Sequence, residues 1–284
     1  MNHQKIIYHP LTATPFKRNV FYTELSPCKE LYSYIRCYWG TEYPLIQVES
    51  GTPELVIPDT CVDIIYYIDY TDNTVAGGFC GINDCSFYAH NSGATGHMTA
   101  TFAIRFYAWS AYAFADDSLK STVNGYFDVG SRFEWLDKMI KPQLLELKTL
   151  QGKASFVEKL LLKRLADAKE NTVVNNTIQN ILISKGFLDV SNLAKESFVS
   201  TRQLERLFHE YVGITPKKMS NLIRYQFLWR NILCEPDFDV LNAVHKYGYT
   251  DQSHLLREFK RYHSMGIHKA RTIAFKDVEN IQDV

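Results

Sequence analysis

LAKESFVSTRQLERLFHEYVG, residues 193–213, and AVHKYGYTDQSHLLREFKRYHS, residues 243–264, are two stretches of similar design in the last third of this chain of 284 residues. Several positions keep the same residue type or the same capping role when the first stretch is shifted by 51 residues. These pairs are Ser200 with Asp251, Leu204 with Leu255, Arg206 with Arg257, Phe208 with Phe259 and Tyr211 with Tyr262. A repeat of this period also occurs in helical solenoids, but those need three or more units to bury a core. Two units therefore predict a closed module of two helix-turn-helix units.

Each unit has the signals of a short helix, a tight turn and a second helix that begins at a capping residue. Asp189 and Ser200 are expected to cap the two helices of the first unit, and Asp251 the second helix of the second unit. Apolar residues recur after the caps at spacings of three and four, which predicts one buried face per helix. They are Leu204, Leu207, Phe208 and Tyr211 in the first unit and Leu255, Phe259 and Tyr262 in the second.

The opposite face of each second helix carries side chains that can reach base edges or phosphates. They are Arg202, Glu205, Arg206 and His209 in the first unit, and Gln252, Ser253, His254, Arg257, Lys260 and Arg261 in the second. On a single amphipathic helix such a set is usually a solvated face. Its recurrence at matched positions after matched turns instead favours two recognition helices that bind DNA.

A long helix is predicted between the two units. Thr215-Pro216 places a capping residue before a proline at the first helical position, and the helical pattern continues through Leu233. At 1.5 Å per residue this helix spans about 27 Å. Two recognition helices held by such a spacer could enter successive major grooves, which lie roughly 34 Å apart on one face of the duplex.

The stretch from about Thr177 to Phe275 resembles the DNA-binding domain of the AraC/XylS family of bacterial transcription regulators. The motif residues that carry this resemblance are Leu193-Ala194, Ser200, Leu204, Arg206, Phe208, Gly213-Ile214-Thr215-Pro216, Arg224, Gly248-Tyr249, Asp251, Ser253, Arg257, Phe259-Lys260 and Arg271. The resemblance implies base contacts by Arg202, Glu205 and Arg206 in the first unit and by Gln252, Ser253, His254 and Arg257 in the second. It also implies double-stranded operator DNA as partner, with RNA polymerase as a candidate further partner.

Two departures from the family pattern concern turns. Phe198 stands where the family usually has the turn glycine, and Ser264-Met265-Gly266-Ile267 stands where it has Gly-x-Thr-Pro. Without the glycine and the proline, both stop and start signals after the second recognition helix are weaker. We therefore expect the exit from that helix to differ from the family.

Charge is divided unevenly along a chain whose formal net charge is zero. Residues 1–130 hold seven basic and thirteen acidic residues, whereas residues 172–276 hold fifteen basic and nine acidic ones. The basic field therefore coincides with the repeat, as contact with phosphates requires. The hydrophobic fraction of 46% and charged fraction of 22% are typical of globular proteins. Without an apolar run long enough to span a bilayer or an apolar signal core, the sequence predicts a cytoplasmic protein with reduced cysteines and no membrane partner.

The amino-terminal half is predicted to be rich in β-strands. Runs of Val, Ile, Tyr and Phe begin at Leu55, Cys61 and Thr101, separated by Pro, Asp, Asn and Gly. The segments VIPDTCVDIIYYID and FAIRFYAWSAYAF resemble the amino-terminal domain of one subgroup of AraC-type regulators, which implies a cupin-like sensor of a small molecule. The predicted fold class is α+β: a cupin-like β-barrel or sandwich over residues 1–130, a helical linker over 131–171, and an all-α domain with two helix-turn-helix units over 172–284.

A small-molecule effector site is predicted in the β-rich domain. Its candidate residues are Trp39, Asp63, Tyr66, Arg105 and Tyr107, with Phe102, Phe106 and Trp109 as further aromatic candidates. For the aromatic residues, plain core packing is the alternative, because one face of every strand must be buried. For Arg105 the alternative is a structural ion pair with an acid such as Asp63, since a charge inside an apolar run needs a partner.

Two further questions stay open in the sequence. Cys80, Cys85, His90 and His97 suggest a metal site, but their spacing matches no tight zinc signature, so unligated thiols are expected. In the linker, the apolar stripes of Phe133, Leu136 and Ile140 and of Phe156, Leu160, Leu161 and Leu165, separated by a break around Gln151-Gly152, either dock on the β-domain or pair with a second subunit.

The sequence thus predicts a DNA-binding transcription regulator, not an enzyme, that responds to a small-molecule effector, needs no cofactor and forms a homodimer. The first alternative is a metal-dependent cupin-type enzyme with a helical scaffold domain. It is disfavoured because the strand-like runs contain Asp63 and Asp69 but no histidine. A second alternative is a helical protein-interaction module, which would have no salt-sensitive affinity for DNA.

Overall fold

The computed structural model of the chain describes residues 8–17, 22–47, 53–90 and 94–276. Strands occupy the amino-terminal part and helices the rest, so the α+β class is confirmed. The strands are β1 (Thr23–Leu25), β2 (Ile35–Gly40), β3 (Leu45–Ile46), β4 (Glu54–Val56), β5 (Cys61–Asp69), β6 (Thr74–Cys80), β7 (Phe87–Ala89), β8 (Met98–Tyr107) and β9 (Tyr126–Asp128). The runs predicted from Leu55, Cys61 and Thr101 each begin inside a strand, β4, β5 and β8 respectively, and each run continues past the end of its strand.

The main sheet is antiparallel, with strand order β1-β2-β8-β5-β6-β9 and β3 paired to β8. β4 and β7 form a second, two-stranded sheet. Among the described strands β1 and β9 end the ladder at opposite edges, so the main sheet is open and does not close on itself. Of the two predicted forms, the closed barrel is therefore wrong, and two antiparallel sheets, as in a sandwich, describe the domain better.

Strand alternation gives the main sheet two different faces. The even-numbered residues of β5 are buried, while Asp63, Ile65 and Tyr67 on the other face are half-buried or exposed. Two linker helices, α1 (Gly130–Ile140) and α2 (Leu150–Arg164), follow the last strand. Phe133 of α1 contacts Phe79 of β6, with ring centroids 5.2 Å apart, and it stacks on Phe106 of β8 at 6.1 Å. The first linker stripe therefore docks on the sheet.

The start of α2 corrects the prediction for the linker. Gln151-Gly152 lies in the first turn of α2 rather than in a break, and the interruption between the two helices spans residues 141–149. The side chain of Thr149 caps this helix by accepting a hydrogen bond from the Gly152 N–H at 3.0 Å. The cap and the burial of Leu150 and Ala154 stabilise a helix whose early glycine is otherwise unfavourable.

Seven helices lie in the described part of the carboxy-terminal domain, residues 172–276. They are α3 (Thr172–Ile183), α4 (Val190–Glu196), α5 (Thr201–Tyr211), α6 (Pro216–Cys234), α7 (Val240–Tyr247), α8 (Gln252–His263) and α9 (Ile267–Phe275). The predicted caps are confirmed: Asp189, Ser200, Thr215 and Asp251 each accept a hydrogen bond from the backbone N–H three residues later. The 19 residues of α6 make it the long spacer between α4–α5 and α7–α8.

The turns of the two units use the same backbone conformation with different residues. Phe198 adopts a left-handed conformation with φ 55° and is 95% exposed, whereas Gly248 of the second unit has φ 66°. After α8, Ser264 adopts the left-handed conformation at φ 58°, and Gly213 does so after α5. The residues that depart from the family pattern, Phe198 and Ser264, therefore adopt the left-handed conformation that glycine has at the matching turn of the other unit, and α9 begins at Ile267.

Exchanging glycine at the two turns should change stability in opposite directions. Gly248→Ala is expected to lower the free energy of unfolding by about 1–2 kcal/mol, because a non-glycine residue in this conformation is strained. A Cβ there would also lie 2.1 Å from the ring of Phe187. Phe198→Gly relieves that strain and is expected to raise stability by less than about 1 kcal/mol. Urea titration of the full chain measures both. Equal shifts of the same sign would contradict this account of the turns.

Candidate nucleic-acid interface

The predicted base-reading residues of the first unit lie on the open face of α5. Arg202, Glu205 and Arg206 are exposed, and so is His209 one turn later. Leu204, Leu207 and Phe208 on the opposite face are buried. The apolar stripe thus orients the helix, and three charged side chains project from its amino-terminal half, where recognition helices contact bases.

The second unit presents a similar face on α8. Gln252, Ser253 and Arg257 are exposed, together with the basic residues Lys260 and Arg261. His254 differs, because its ring packs edge-on against Tyr249 at 5.4 Å and its Nδ1 accepts a hydrogen bond from the Thr250 N–H at 3.5 Å. It is half-buried and closes the turn, so it is less accessible to a base than the other six predicted residues.

A buried ion pair fixes α8 to the spacer helix α6. Arg224 Nη2 donates to both carboxylate oxygens of Glu258 at 2.9 Å, and the two side chains are only 9% and 10% exposed. The hydroxyl of Tyr249 donates to Glu258 Oε1 at 2.8 Å, and the Arg224 guanidinium lies 4.3 Å from the Tyr249 ring centroid. The sequence identified Arg224 and Tyr249 only as motif residues and missed Glu258. This pair sets the position of the second recognition helix relative to the spacer.

The predicted effector residues of the amino-terminal domain lie in two separate places. Asp63 and Arg105 face each other across β5 and β8, on the half-exposed face of the sheet. Trp39 joins them, since its Nε1–H donates to Asp63 Oδ1 at 2.8 Å. Tyr66 is fully buried on the opposite face, and Tyr107 lies at the end of β8, where its hydroxyl donates to the Tyr8 carbonyl at 2.9 Å. Three of the five candidates therefore meet.

Arg105 is held by acids on two sides. Its Nε lies 2.9 Å from Asp63 Oδ1, its Nη2 lies 3.1 Å from Asp63 Oδ2, and its Nη1 lies 3.4 Å from Asp59 Oδ2. The guanidinium also lies 5.5 Å from the centroid of Trp39. Of the two roles considered for Arg105, the geometry provides the ion pair. The other candidates, Phe102 and Phe106, are fully buried core residues, and Trp109 stacks on Tyr107 at 5.0 Å.

The sequence missed Asp59 and Tyr22 as members of this cluster. Burial raises the pKa of Asp59, and the positive charge of Arg105 acts in the opposite direction. Two carboxylates therefore share one guanidinium in a poorly solvated region. Tyr22 stacks near Trp39, at 5.4 Å between centroids, and its hydroxyl accepts a hydrogen bond from Arg105 Nη1 at 3.5 Å. The signal for Asp59 was available in the Pro-Asp-x-Cys-x-Asp run, which places two acids four residues apart.

The suggested metal ligands do not come together. In the described part of the chain, the group with ligand atoms close enough for one ion is Asp69, Asp72 and His97. Of the four residues named from the sequence, it contains only His97, whose Nδ1 lies 2.7 Å from Asp69 Oδ2. Cys80 and Cys85 instead interact through sulfur with Asn83 and Asn124. All six cysteines are free thiols.

The amino-terminal domain contacts the first unit at the end of α5. The N–H of Leu119 donates to the Glu210 carbonyl at 2.9 Å, and the Ser118 hydroxyl donates to the same oxygen at 3.2 Å. The rings of Tyr112 and Tyr211 lie 4.2 Å apart. The carboxyl end of the first recognition helix is thus part of the domain interface.

Other interdomain contacts involve the spacer helix and the second unit. Gln226 of α6 accepts from the Leu11 N–H at 2.8 Å and donates to the Pro58 carbonyl at 2.7 Å, and Trp229 Nε1–H donates to the Thr12 carbonyl at 3.0 Å. Two contacts lie near the helix ends: Lys218 pairs with Asp84, and the Ser264 hydroxyl is 2.6 Å from that of Ser86. The β-rich domain therefore touches the spacer and both helix-turn-helix units.

No helix within the described residues is long and apolar enough to cross a membrane.

Comparison with known proteins gives two family matches. Residues 193–272 match the profile of a helix-turn-helix domain, and residues 23–128 match a domain of unknown function (DUF6597). No match was found among curated proteins.

Among solved structures, ToxT from Vibrio cholerae O395 has 11% sequence identity and a TM-score of 0.38, over 82% of this chain and 96% of that chain. Wild-type ToxT from Vibrio cholerae strain SCE256, with unsaturated fatty acid bound, has 9% identity and a TM-score of 0.39, over 81% and 93%. These TM-scores are too low to establish a common overall arrangement. The assignment of the carboxy-terminal domain therefore rests on the helix-turn-helix match.

The matched region contains the end of α4, the whole of α5 to α8 and most of α9, with both predicted recognition helices. It coincides with the basic part of the chain and with the motif residues from Leu193 to Arg271. Residues 193–272 are therefore a helix-turn-helix domain of the AraC type, and in the same chain this domain follows a domain of unknown function.

Proposed function

We propose that this protein binds a specific operator sequence through both helix-turn-helix units and regulates transcription in response to a small molecule. The observation that carries the proposal is the pair of matched recognition helices, α5 and α8, whose outward faces are polar and exposed while their apolar faces are buried. Arg202, Glu205 and Arg206 read bases from the first unit. Gln252, Ser253, His254 and Arg257 do so from the second, with His254 in the least accessible position.

The β-rich domain is proposed to sense the effector on the half-exposed face of its main sheet. Trp39, Asp63 and Arg105 meet there, with Asp59 and Tyr22 beside them. Aromatic surface next to a few fixed polar groups is typical of small-molecule sites. Tyr66 and Tyr107 are assigned supporting roles, because Tyr66 packs on the opposite face and Tyr107 holds the Tyr8 backbone.

Effector binding is proposed to shift the population of domain or dimer arrangements and so to change how well both units engage one operator. The contacts of the β-rich domain with Glu210, Lys218 and Ser264 support this mechanism, since they connect it to both units. Homodimer formation, contact with RNA polymerase and a cytoplasmic location stay predictions.

The direct test is selection of DNA fragments by the full-length protein, followed by affinity measurements on the selected duplex at several salt concentrations. Phosphate contacts release counterions, so the affinity should fall steeply as the salt concentration rises. Equal binding at low and high salt would reject the proposal and favour a protein-interaction module. Measurement of bound metal in the purified protein tests the enzyme alternative, for which the Asp69, Asp72 and His97 group is the candidate site.

Arg206→Ala and Arg257→Ala should each weaken binding to the selected operator by roughly 1–3 kcal/mol, if each arginine makes a bidentate base contact. Each variant should also lose discrimination at one base-pair position, one in each half of the operator. Lys217→Ala is the matched control: this exposed lysine lies at the start of α6, so any phosphate contact it makes should affect all sequences alike. Unchanged operator preference in both arginine variants would refute their assignment as base readers.

A further inference from the structure

A cleft separates the first recognition helix from a loop of the β-rich domain. It has a volume of about 630 Å³. The α5 side contributes Arg206, His209 and Glu210, with Gly213 just beyond, and the loop of residues 118–123 forms the other side. The cleft therefore lies beside the same helix face that is proposed to read DNA.

The loop is hydrogen-bonded to the end of α5. Its contacts to the Glu210 carbonyl are reinforced by Thr122, whose hydroxyl donates to the Leu119 carbonyl at 2.6 Å. Gly213 lets the two backbones approach: it has φ 89°, and a Cβ there would lie 2.9 Å from the Leu119 oxygen. The backbone of the loop is consequently hydrogen-bonded to the first recognition helix, so Lys120 projects from a segment that is anchored beside α5.

The cleft carries more positive than negative charge. Lys120 and Arg206 are exposed cations on opposite sides of the cleft. His209 follows Arg206 by about one helical turn, and in the described part of the chain Glu210 is the one acidic residue that lines the cleft. Among the described residues Lys120 Nζ makes no ion pair. An exposed lysine that lines the same cleft as an arginine of the recognition face suits a phosphate, which a lysine binds as a point charge.

We infer that the β-rich domain itself contacts DNA, with Lys120 bound to a backbone phosphate next to the major groove that α5 enters. This inference rests on the proposed function, and it adds a surface outside the helix-turn-helix domain to the DNA interface. A phosphate is favoured over a base because the amino-terminal half of a recognition helix reads bases, whereas Lys120 lies beside the carboxy-terminal half of α5.

The test compares full-length variants on a mixed-sequence duplex of about 30 base pairs, long enough to span two successive major grooves. Lys120→Ala should reduce the slope of log affinity against log salt concentration by about 0.9, the value for one phosphate contact. Lys120→Glu should reduce affinity further, and Lys120→Arg should keep the wild-type slope. Lys29→Ala is the matched control, because it removes an exposed lysine of the same domain, at the start of the short 3-10 helix Lys29–Leu31 that packs on α2.

The inference is overturned if Lys120→Ala and Lys120→Glu bind with the affinity and salt slope of Lys29→Ala. Melting curves of the variants establish that each is folded, as expected for a change at an exposed side chain. A wild-type protein without salt-dependent affinity for the duplex would overturn the proposed function together with this inference. Salt-dependent binding that is unaffected by both Lys120 variants would overturn only the phosphate contact.

Discussion

Arg105→Ala is expected to lower the free energy of unfolding of the amino-terminal domain by about 3–5 kcal/mol, the loss typical when one partner of a buried ion pair is removed. The guanidinium is 11% exposed and sits between Asp63 and Asp59. Without it, two neighbouring carboxylates remain in a poorly solvated region. Among the described residues, Asp63 Oδ1 then keeps its hydrogen bond from the Trp39 N–H. This donor is neutral, so it does not replace the positive charge of Arg105.

Urea titration of Arg105→Ala, Asp63→Ala and the double variant gives the coupling between the two residues. The double variant should lose less stability than the sum of the single losses, because it does not leave the Asp63 charge without its partner. Lys17→Ala is the control in the same domain, since the Lys17–Glu54 pair is solvent-exposed and should contribute little. An Arg105→Ala protein as stable as the control would contradict the structural role of the pair. If it also responded normally to effector, Arg105 would be excluded from both proposed roles.

Arg224→Ala should destabilise the carboxy-terminal domain by about 3–5 kcal/mol for the same reason, and it should also weaken operator binding. Glu258 would lose its cation while still buried on α8, and the Tyr249 hydroxyl would remain as its described hydrogen-bond donor. Because this pair fixes α8 to α6, the second recognition helix would lose its defined position relative to the first. Binding should therefore decline most for operators that need both half-sites.

Glu258→Gln removes the negative charge of the Arg224–Glu258 pair and keeps the shape of the side chain. The glutamine oxygen can still accept the Tyr249 hydrogen bond, so this variant should be more stable than Arg224→Ala. Lys246→Ala, which breaks the exposed Lys246–Glu235 pair of the same domain, should melt like the wild type. Two results together would contradict the role assigned to Arg224. Arg224→Ala would have the same urea midpoint as Lys246→Ala, and it would bind a two-site operator with wild-type affinity.

Local signals in the sequence were sufficient for the helical domain. The caps at Asp189, Ser200 and Asp251 and the Thr215-Pro216 start of α6 act over three residues, so they can be read without knowing the rest of the fold. Gly152 predicts a break in the linker, whereas α2 begins at Leu150 and includes this glycine in its first turn. Tertiary burial of Leu150 overrides that weak local preference.

Long-range pairings were not accessible in the same way. Asp63 and Tyr66 are both predicted to belong to one effector site. Residues three apart on one strand lie on opposite faces of the sheet, so these two side chains cannot share a site on one face. The sequence leaves two roles open for Arg105, effector contact and an ion pair with an acid such as Asp63. The ion pair depends on the register between β5 and β8, which the sequence does not reveal. Glu258 and the contact of Leu119 with Glu210 depend on how separate elements pack, for which the sequence has no local signal.

The Glu210 carbonyl belongs to the first recognition helix and accepts hydrogen bonds from the β-rich domain. This shared contact couples the energetics of the sensor to those of DNA binding. Suppose that an effector alters this contact and thereby changes operator affinity by a given factor. Thermodynamic linkage then requires operator DNA to change effector affinity by the same factor. The promoter would in that case be an allosteric ligand of the sensor, and the effector concentration needed for a half-maximal response would differ between DNA-bound and free protein.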